Sequence, residues 1–370
     1  MKLMDQIRDV RHAEKDIFDT IRASGDPVVL WGAGEIAWCV WTYLRQNGID
    51  PVCFCDNDPA KQGTKHLGLP VYGYDGLKER FAREGRRYHI VVATGIQYRA
   101  PIFAQLAAAG ERNPIWYIKG FEVCGEKIDY PYVREHAEQF EEAYASLADD
   151  VSRNVFVHVL IAKLSGDFDL YRRIMSPCEY FDEDVIRLAE DEVYLDVGAY
   201  RGRAIIEFAR RTRGTYDGII AFEPDKRTLD MLRRTVEEHG IRKVELHNKG
   251  AWDRHAFLSF HDGREGGSRI LEPSAVEIPA NSIEVDAIDN VLDGRRATYI
   301  SMDIEGAEHN AILGAERTIR TWRPKMAVSV YHKREDLFDL LLLIKSFDPQ
   351  YRFHMRHYTE NQTETVLYAV

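Results

Sequence analysis

Two stretches of the chain share one pattern of apolar and polar positions. Each begins with a short unbroken apolar run, passes a glycine turn, and continues into a segment with one apolar face. The first is Pro27-Val-Val-Leu-Trp31, then Gly32-Ala-Gly34, then an apolar helix through Leu44 that Gly48 ends. The second is Val193–Val197, then Gly198 and Gly202, then Ile205, Ile206, Phe208 and Ala209 on one face. Buried strand, tight turn and amphipathic helix is the expected reading of both.

The same reasoning extends along the chain. Residues 1–25 are expected to be one amphipathic helix, with Met4, Ile7, Val10, Ile17, Phe18 and Ile21 at roughly helical spacing and Gly25 as its stop. It would serve as a packing arm or as the contact of a homodimer. Residues 26–125 are expected to be a Rossmann-like nucleotide-binding domain, with further strands at Pro51–Cys55, His89–Ala93 and Pro114–Ile118. Residues 126–190 change character: Glu135–Ala148 is rich in Glu and Ala, and Ser152–Leu164 has an apolar face, which predicts a helical bridge. Residues 191–370 are expected to be a second α/β domain. Its strands are read at Val193–Val197, Gly218–Phe222, Lys243–His247, Tyr299–Asp303 and Lys325–Tyr331, with a closing antiparallel hairpin at Tyr351–Met355 and Thr365–Val370. Ala256–His261 and Ser282–Val285 read as an inserted antiparallel pair, with the Gly-rich Gly263–Ser268 between them. The fold class is therefore α/β with two Rossmann-like units, the second a seven-stranded sheet carrying a β-hairpin insertion.

The candidate chemistry sits at the strand ends. In the second domain the first strand ends in Asp196 ahead of Gly198, Ala199, Tyr200 and Gly202, and the second ends in Glu223-Pro224. This is a mononucleotide-binding half, in which the acid at the second strand end accepts the ribose hydroxyls. The spacing is not G-x-G-x-x-G, and Asp196 would repel a pyrophosphate. It suits a ligand with an ammonium and a sulfonium, which is S-adenosylmethionine. Asn248, Ala251 and Trp252, after the third strand, are expected to meet the adenine; Trp252 either stacks on it or packs in the core. In the first domain, Gly32-x-Gly34-x-x-Ala37 followed about twenty residues later by Asp56 resembles the dinucleotide fingerprint, so Gly32, Gly34 and Asp56 are candidate nucleotide-binding residues.

Composition narrows the partners. A formal net charge of −11 and a pI near 5.7 give no basic field for nucleic acid. The N-terminus lacks an apolar signal region, and runs such as Val155–Ala162 are too short for a bilayer, so a cytoplasmic protein without membrane insertion is expected. The five cysteines, Cys39, Cys53, Cys55, Cys124 and Cys178, form no C-x-x-C pair, which argues against a disulfide framework or zinc site.

Leu195-Asp-Val-Gly-Ala-Tyr-Arg-Gly202, Ala221-Phe-Glu-Pro-Asp225, Met302-Asp-Ile-Glu-Gly-Ala-Glu308 with Leu313-Gly-Ala315, and Glu364-Thr-Val-Leu-Tyr-Ala369 together resemble the FkbM family of S-adenosylmethionine-dependent methyltransferases. The resemblance covers about half the chain, from roughly residue 180 onward. It implies an O-methyltransferase acting on hydroxyls of sugars or natural products. One position departs: Ser301 stands where the family often has Lys. The first domain, through its glycine turn, Asp56-Asn-Asp-Pro59, Lys61-x-Gly63 and Gly68-x-Pro-Val71, is similar to small domains of bacterial sugar O-acyltransferases. That resemblance implies a sugar-nucleotide or other nucleotide ligand.

Methyl transfer to a sugar hydroxyl needs an in-line donor and a general base. His332 is the expected base, Asp303 the group that orients donor or acceptor, and Glu305 a further candidate, all at the carboxyl ends of parallel strands. A divalent metal on Asp303, Glu305 and Glu308 is an alternative that is not favoured, because no Asp/Asn-rich loop supports it. The rival function is a non-catalytic sensor or scaffold that binds nucleotides or S-adenosylmethionine.

Overall fold

The computed structural model describes residues 2–10, 15–118, 128–261, 269–271 and 282–370. The chain divides into two compact units: Met1–Arg8 with Tyr130–Leu160 and Asp169–Val370, and Asp9–Asp129 with Ile161–Phe168.

In the smaller unit, β1 (Val28–Trp31), β2 (Pro51–Cys55), β3 (Lys65–His66), β4 (Leu69–Tyr72), β5 (His89–Val92) and β6 (Ile115–Tyr117) form one sheet in the order β3-β4-β2-β1-β5-β6. Every pairing is parallel except β3 with β4. β1 is buried at all four positions, as a parallel strand covered on both faces must be. Val28 and Leu30 pack with Tyr43 and Leu44 on one face, and Val29 and Trp31 with Leu77 and Phe81 on the other. Burial pushes the Cys53 thiol up to about 12 and that of Cys55 higher still; Cys124 lies outside the described residues.

The larger unit holds β7 (Val193–Val197), β8 (Gly218–Phe222), β9 (Val244–His247), β10 (Gly250–Trp252), β11 (Ala256–His261), β12 (Arg269–Leu271), β13 (Ser282–Ala287), β14 (Tyr299–Met302), β15 (Lys325–Ser329), β16 (Phe353–His357) and β17 (Thr365–Ala369). Seven of these form the main sheet, in the order β16-β17-β15-β14-β7-β8-β9. β17 runs antiparallel to both β15 and β16, and the other neighbours are parallel. The strand order reverses beside β7, so the carboxyl ends of β7 and β14 flank a topological switch point. The core below it stacks Tyr194 on Phe208 and on Tyr299, with ring centroids 4.5 and 5.2 Å apart.

Two expectations need correction. The 1–25 stretch is not one helix: Leu3–Ile7 and Lys15–Ser24 are separate. The first is held by tertiary bonds that its own periodicity does not reveal. Leu3 and Met4 amides donate to Glu141, and Tyr130 donates to the Ile7 carbonyl. The insertion is also larger than a hairpin. The antiparallel pair β11–β13 is there, but β10 and β12 extend it to a four-stranded sheet, β10-β13-β11-β12. Three-residue strands are too short to display an alternation of period two. Gly263–Ser268 lies outside the described residues. No described helix is long and apolar enough to cross a membrane.

Candidate active site

β7 ends in Asp196 and passes into Gly198, whose φ is +88°. A Cβ there would meet the Asp303 carbonyl oxygen at 2.0 Å, so the glycine lets the β7 turn pass directly against the end of β14. Gly198 and Ala199 amides both donate to the Phe222 carbonyl, which ties the turn to β8. Glu223, next along, accepts from the Tyr200 amide at 3.0 Å and the Asp225 amide at 2.9 Å. Burial pushes its carboxyl up to about 7 despite those two amides.

Asp196 is likewise buried. One oxygen accepts from Ser301 Oγ at 2.9 Å, and that hydroxyl lies 2.6 Å from Tyr194 OH; the other has no hydrogen-bond partner. Burial raises the Asp196 carboxyl to about 6. The position where the family often carries Lys thus gives Asp196 a hydroxyl in this chain and no counter-charge.

β14 delivers Asp303, and β15 delivers Tyr331 and His332. A quarter of the Asp303 side chain is exposed. Its Oδ2 accepts from Tyr180 OH at 2.8 Å, and Tyr331 OH stands 3.4 Å from both oxygens. Burial raises its carboxyl, with His332 opposing. His332 is buried, and its Nδ1 lies 3.0 Å from Glu308 Oε1, which also accepts from the Ile304 amide. Its Nε2 lies 3.4 Å from Asp303 and 3.6 Å from Glu305. Burial disfavours the imidazolium, but Glu308, Asp303 and Glu305 outweigh it and hold the ring well above the usual histidine range. The expected role of His332 as a base that is neutral near pH 7 is therefore corrected: carboxylates on both sides keep it charged.

Trp252 packs in the core with Leu258, Ile283, Val285 and Ala307, so its ring is not available for stacking. Ala251 lies buried beside it in β10. Asn248 Nδ2 donates to the Glu223 and Pro224 carbonyls at 3.0 and 2.8 Å, bracing the acid turn from behind.

Three residues escaped the sequence reading. Tyr180 and Glu179 sit in an irregular segment with no periodicity. Glu364 carries no signal of its own beyond its place in the closing motif. Arg203 donates to Glu179, and burial, reinforced by Glu179, pushes the Glu364 carboxyl up to about 9.

In the smaller unit, Asp56 accepts from the Ala33 and Asp58 amides at 2.8 and 2.9 Å and pairs with Lys61 at 3.2 Å. Despite partial burial, these bonds hold its carboxyl below the ordinary range. Gly32, at φ +113°, is required by packing: a Cβ would lie 2.4 Å from Thr94 Cγ2. Gly34 faces open space at the N-terminus of the helix Glu35–Gln46.

Residues 196–357 match the Methyltransferase FkbM domain. This stretch is an FkbM methyltransferase domain. The methyltransferase FkbM of Methylobacillus flagellatus KT has a similar fold over the whole length: 22% identity, 100% of this chain, 97% of that one, TM-score 0.75. Partial likenesses include the fibrillarin of Aeropyrum pernix in complex with natively bound S-adenosyl-L-methionine (11% identity, 52% of this chain, 72% of that one, TM-score 0.31). Another is the precorrin-6y C5,15-methyltransferase of Geobacter metallireducens GS-15 (14% identity, 50% and 82%, TM-score 0.32). No curated protein matches the chain. The FkbM domain runs from Asp196 at the end of β7 to His357 at the end of β16, and so contains Glu223, Asp303 and His332. That domain is a methyltransferase domain.

Proposed function

We propose that the protein transfers a methyl group from S-adenosylmethionine to a hydroxyl of a sugar, glycan or nucleotide-sugar. The observation that carries this reading is the alignment of three acids at one sheet edge. Asp196, Glu223 and Asp303 end the adjacent strands β7, β8 and β14 at their carboxyl ends, where ligands of open α/β sheets bind. Glu223 has a lone pair left on each oxygen for the ribose hydroxyls. Asp196 offers its unpartnered oxygen to the donor's ammonium. The acceptor hydroxyl would sit at the exposed part of Asp303, between the Tyr180 and Tyr331 hydroxyls.

In the reaction, the acceptor oxygen attacks the methyl carbon and the C–S bond breaks. Its electron pair stays on sulfur, giving S-adenosylhomocysteine. The hydroxyl proton passes to the Asp303 carboxylate and then to solvent. The raised pKa of Asp303 makes it the better base, while charged His332 stands behind it and stabilises the carboxylate. For the smaller unit we propose a separate nucleotide contact at the open Gly34 end of its helix, next to Lys61, with Asp56 bracing the turn.

Incubation with methyl-labelled donor and a panel of sugars and nucleotide-sugars, read by mass spectrometry, tests the reading. An O-methyl product that Asp303→Asn reduces by roughly 10²–10⁴-fold is expected. Label found only on nitrogen or carbon acceptors would overturn the hydroxyl assignment.

A further inference from the structure

His332, Asp303, Glu305 and Glu308 converge at the ends of β14 and β15. Asp303, Glu308 and His332 each bring one ligand-capable atom within 4.8 Å of the others. The imidazole is the informative member. Only 1% of the His332 side chain is exposed, and its Nε2 has no hydrogen-bond partner. That nitrogen points at Asp303 Oδ1, 3.4 Å away, and Glu305 Oε2, 3.6 Å away. These separations exceed an N–H···O hydrogen bond, which spans about 2.7–3.2 Å. Both fall within the about 3.3–3.6 Å that separates two tetrahedral ligands each held about 2.0–2.2 Å from one ion.

The opposite ring nitrogen strengthens the case. Metal-bound histidines usually donate their other N–H to a carboxylate, which fixes the tautomer and aims the free lone pair. Here Nδ1 faces Glu308 Oε1 at 3.0 Å, and Glu308 is itself fixed by the Ile304 amide at 2.8 Å.

Charge separates this cluster from the other acidic one in the same unit. Around His255, Glu284 and Asp286, Lys249 supplies the cation itself, with its ammonium 2.9 Å from Glu284 and 3.0 Å from Asp286. No Lys or Arg pairs with Asp303 or Glu308 among the described residues.

We propose that His332 Nε2, Asp303 Oδ1 and Glu305 Oε2 form a site for a first-row divalent cation, with Glu308 as the residue that positions the ring. A mixed imidazole and carboxylate set favours Mn²⁺ or Zn²⁺ over Mg²⁺, which prefers an all-oxygen shell. Its role rests on the methyl-transfer reading: a cation here adjoins the exposed face of Asp303, where it would bind the acceptor hydroxyl and lower its pKa. On binding, the cation displaces the His332 Nε2 proton and takes the place of the imidazolium charge beside Asp303, while Asp303 Oδ2 stays free of the cation to receive the hydroxyl proton.

The test is a titration of the chelator-treated full chain with Mn²⁺, followed by calorimetry and by loss of the free-ion resonance signal, in the absence of any methyl donor. One ion per chain is expected. Asp303→Asn and His332→Ala should each abolish it, Glu308→Gln should weaken it about 10–100-fold, and Asp286→Asn should leave it unchanged. Because Asp303 is partly exposed, its variant keeps the test valid if the His332 variant fails to fold. The proposal is overturned if neither Mn²⁺ nor Zn²⁺ binds at millimolar concentration, leaving His332 as an imidazolium ion pair only. It is also overturned if Asp303→Asn binds as tightly as the parent. The donor reading stands or falls separately, since no S-adenosylmethionine is present.

Discussion

His332 and Glu308 form a buried pair, Nδ1 to Oε1 at 3.0 Å, with 1% of either side chain exposed. Removing one member of such a pair leaves the other charge without compensation. Glu308→Ala should cost about 3–5 kcal/mol of unfolding free energy, the usual scale for breaking a buried ion pair. Glu308→Gln keeps a hydrogen-bond acceptor and should cost less. Urea unfolding of both variants gives the comparison; equal stability of Glu308→Ala and the parent would mean the pair is not formed.

Glu223 predicts an inverse relation between stability and binding. Its carboxyl titrates near 7 in the folded chain, against a reference of 4.5. The folded state therefore binds the proton more tightly, and stability from this group falls as pH rises from about 4.5 through 7. By pH 8 the loss is on the order of 3 kcal/mol. Glu223→Gln should recover much of it, so the variant's melting temperature should exceed the parent's at pH 8 and match it near pH 4.5. Donor affinity should move the other way, since the parent's binding strengthens as pH rises through about 7.

Two glycines that look equivalent in sequence should behave oppositely. Gly198→Ala places a Cβ 2.0 Å from the Asp303 carbonyl at φ +88°, so the variant should lose at least about 3 kcal/mol of stability and misplace the donor turn. A folded Gly198 variant that merely lacks donor binding is not expected. A Cβ added at Gly34 meets no atom within 4 Å and the backbone there has φ −117°, so Gly34→Val should keep its fold. Thermal shift with nucleotide-sugars and NAD(P) should show stabilisation in the parent and none in Gly34→Val. Equal shifts in both would place any nucleotide elsewhere.

What could be read from sequence follows a physical divide. The central strands of both sheets were legible because each is a short apolar run buried on both faces, as in β1 and β7. The acids at their ends, Asp196, Glu223 and Asp303, were legible because strand and turn fix where a strand-end residue lies. Whatever depends on contacts between distant segments was not. Tyr180 reaches Asp303 across 123 positions of sequence. Glu141 caps the first helix across 138. His332 was found by its position after β15, yet its charge state depends on Glu308 and Asp303, whose side chains only the folded chain brings around it. Trp252 was read as open to ligand or core because β10 is three residues long, too short to announce which face it buries.

The central claim, an S-adenosylmethionine site on the Asp196–Glu223 edge, is tested most directly by calorimetric titration of the donor into the full chain and into Glu223→Ala at pH 8. The account predicts one donor per chain in the parent and a loss of about 1.5–3 kcal/mol of binding free energy in the variant, the scale of a hydrogen bond to a charged group. Absence of donor binding in the parent at millimolar concentration, or equal affinity of Glu223→Ala and the parent, would contradict it.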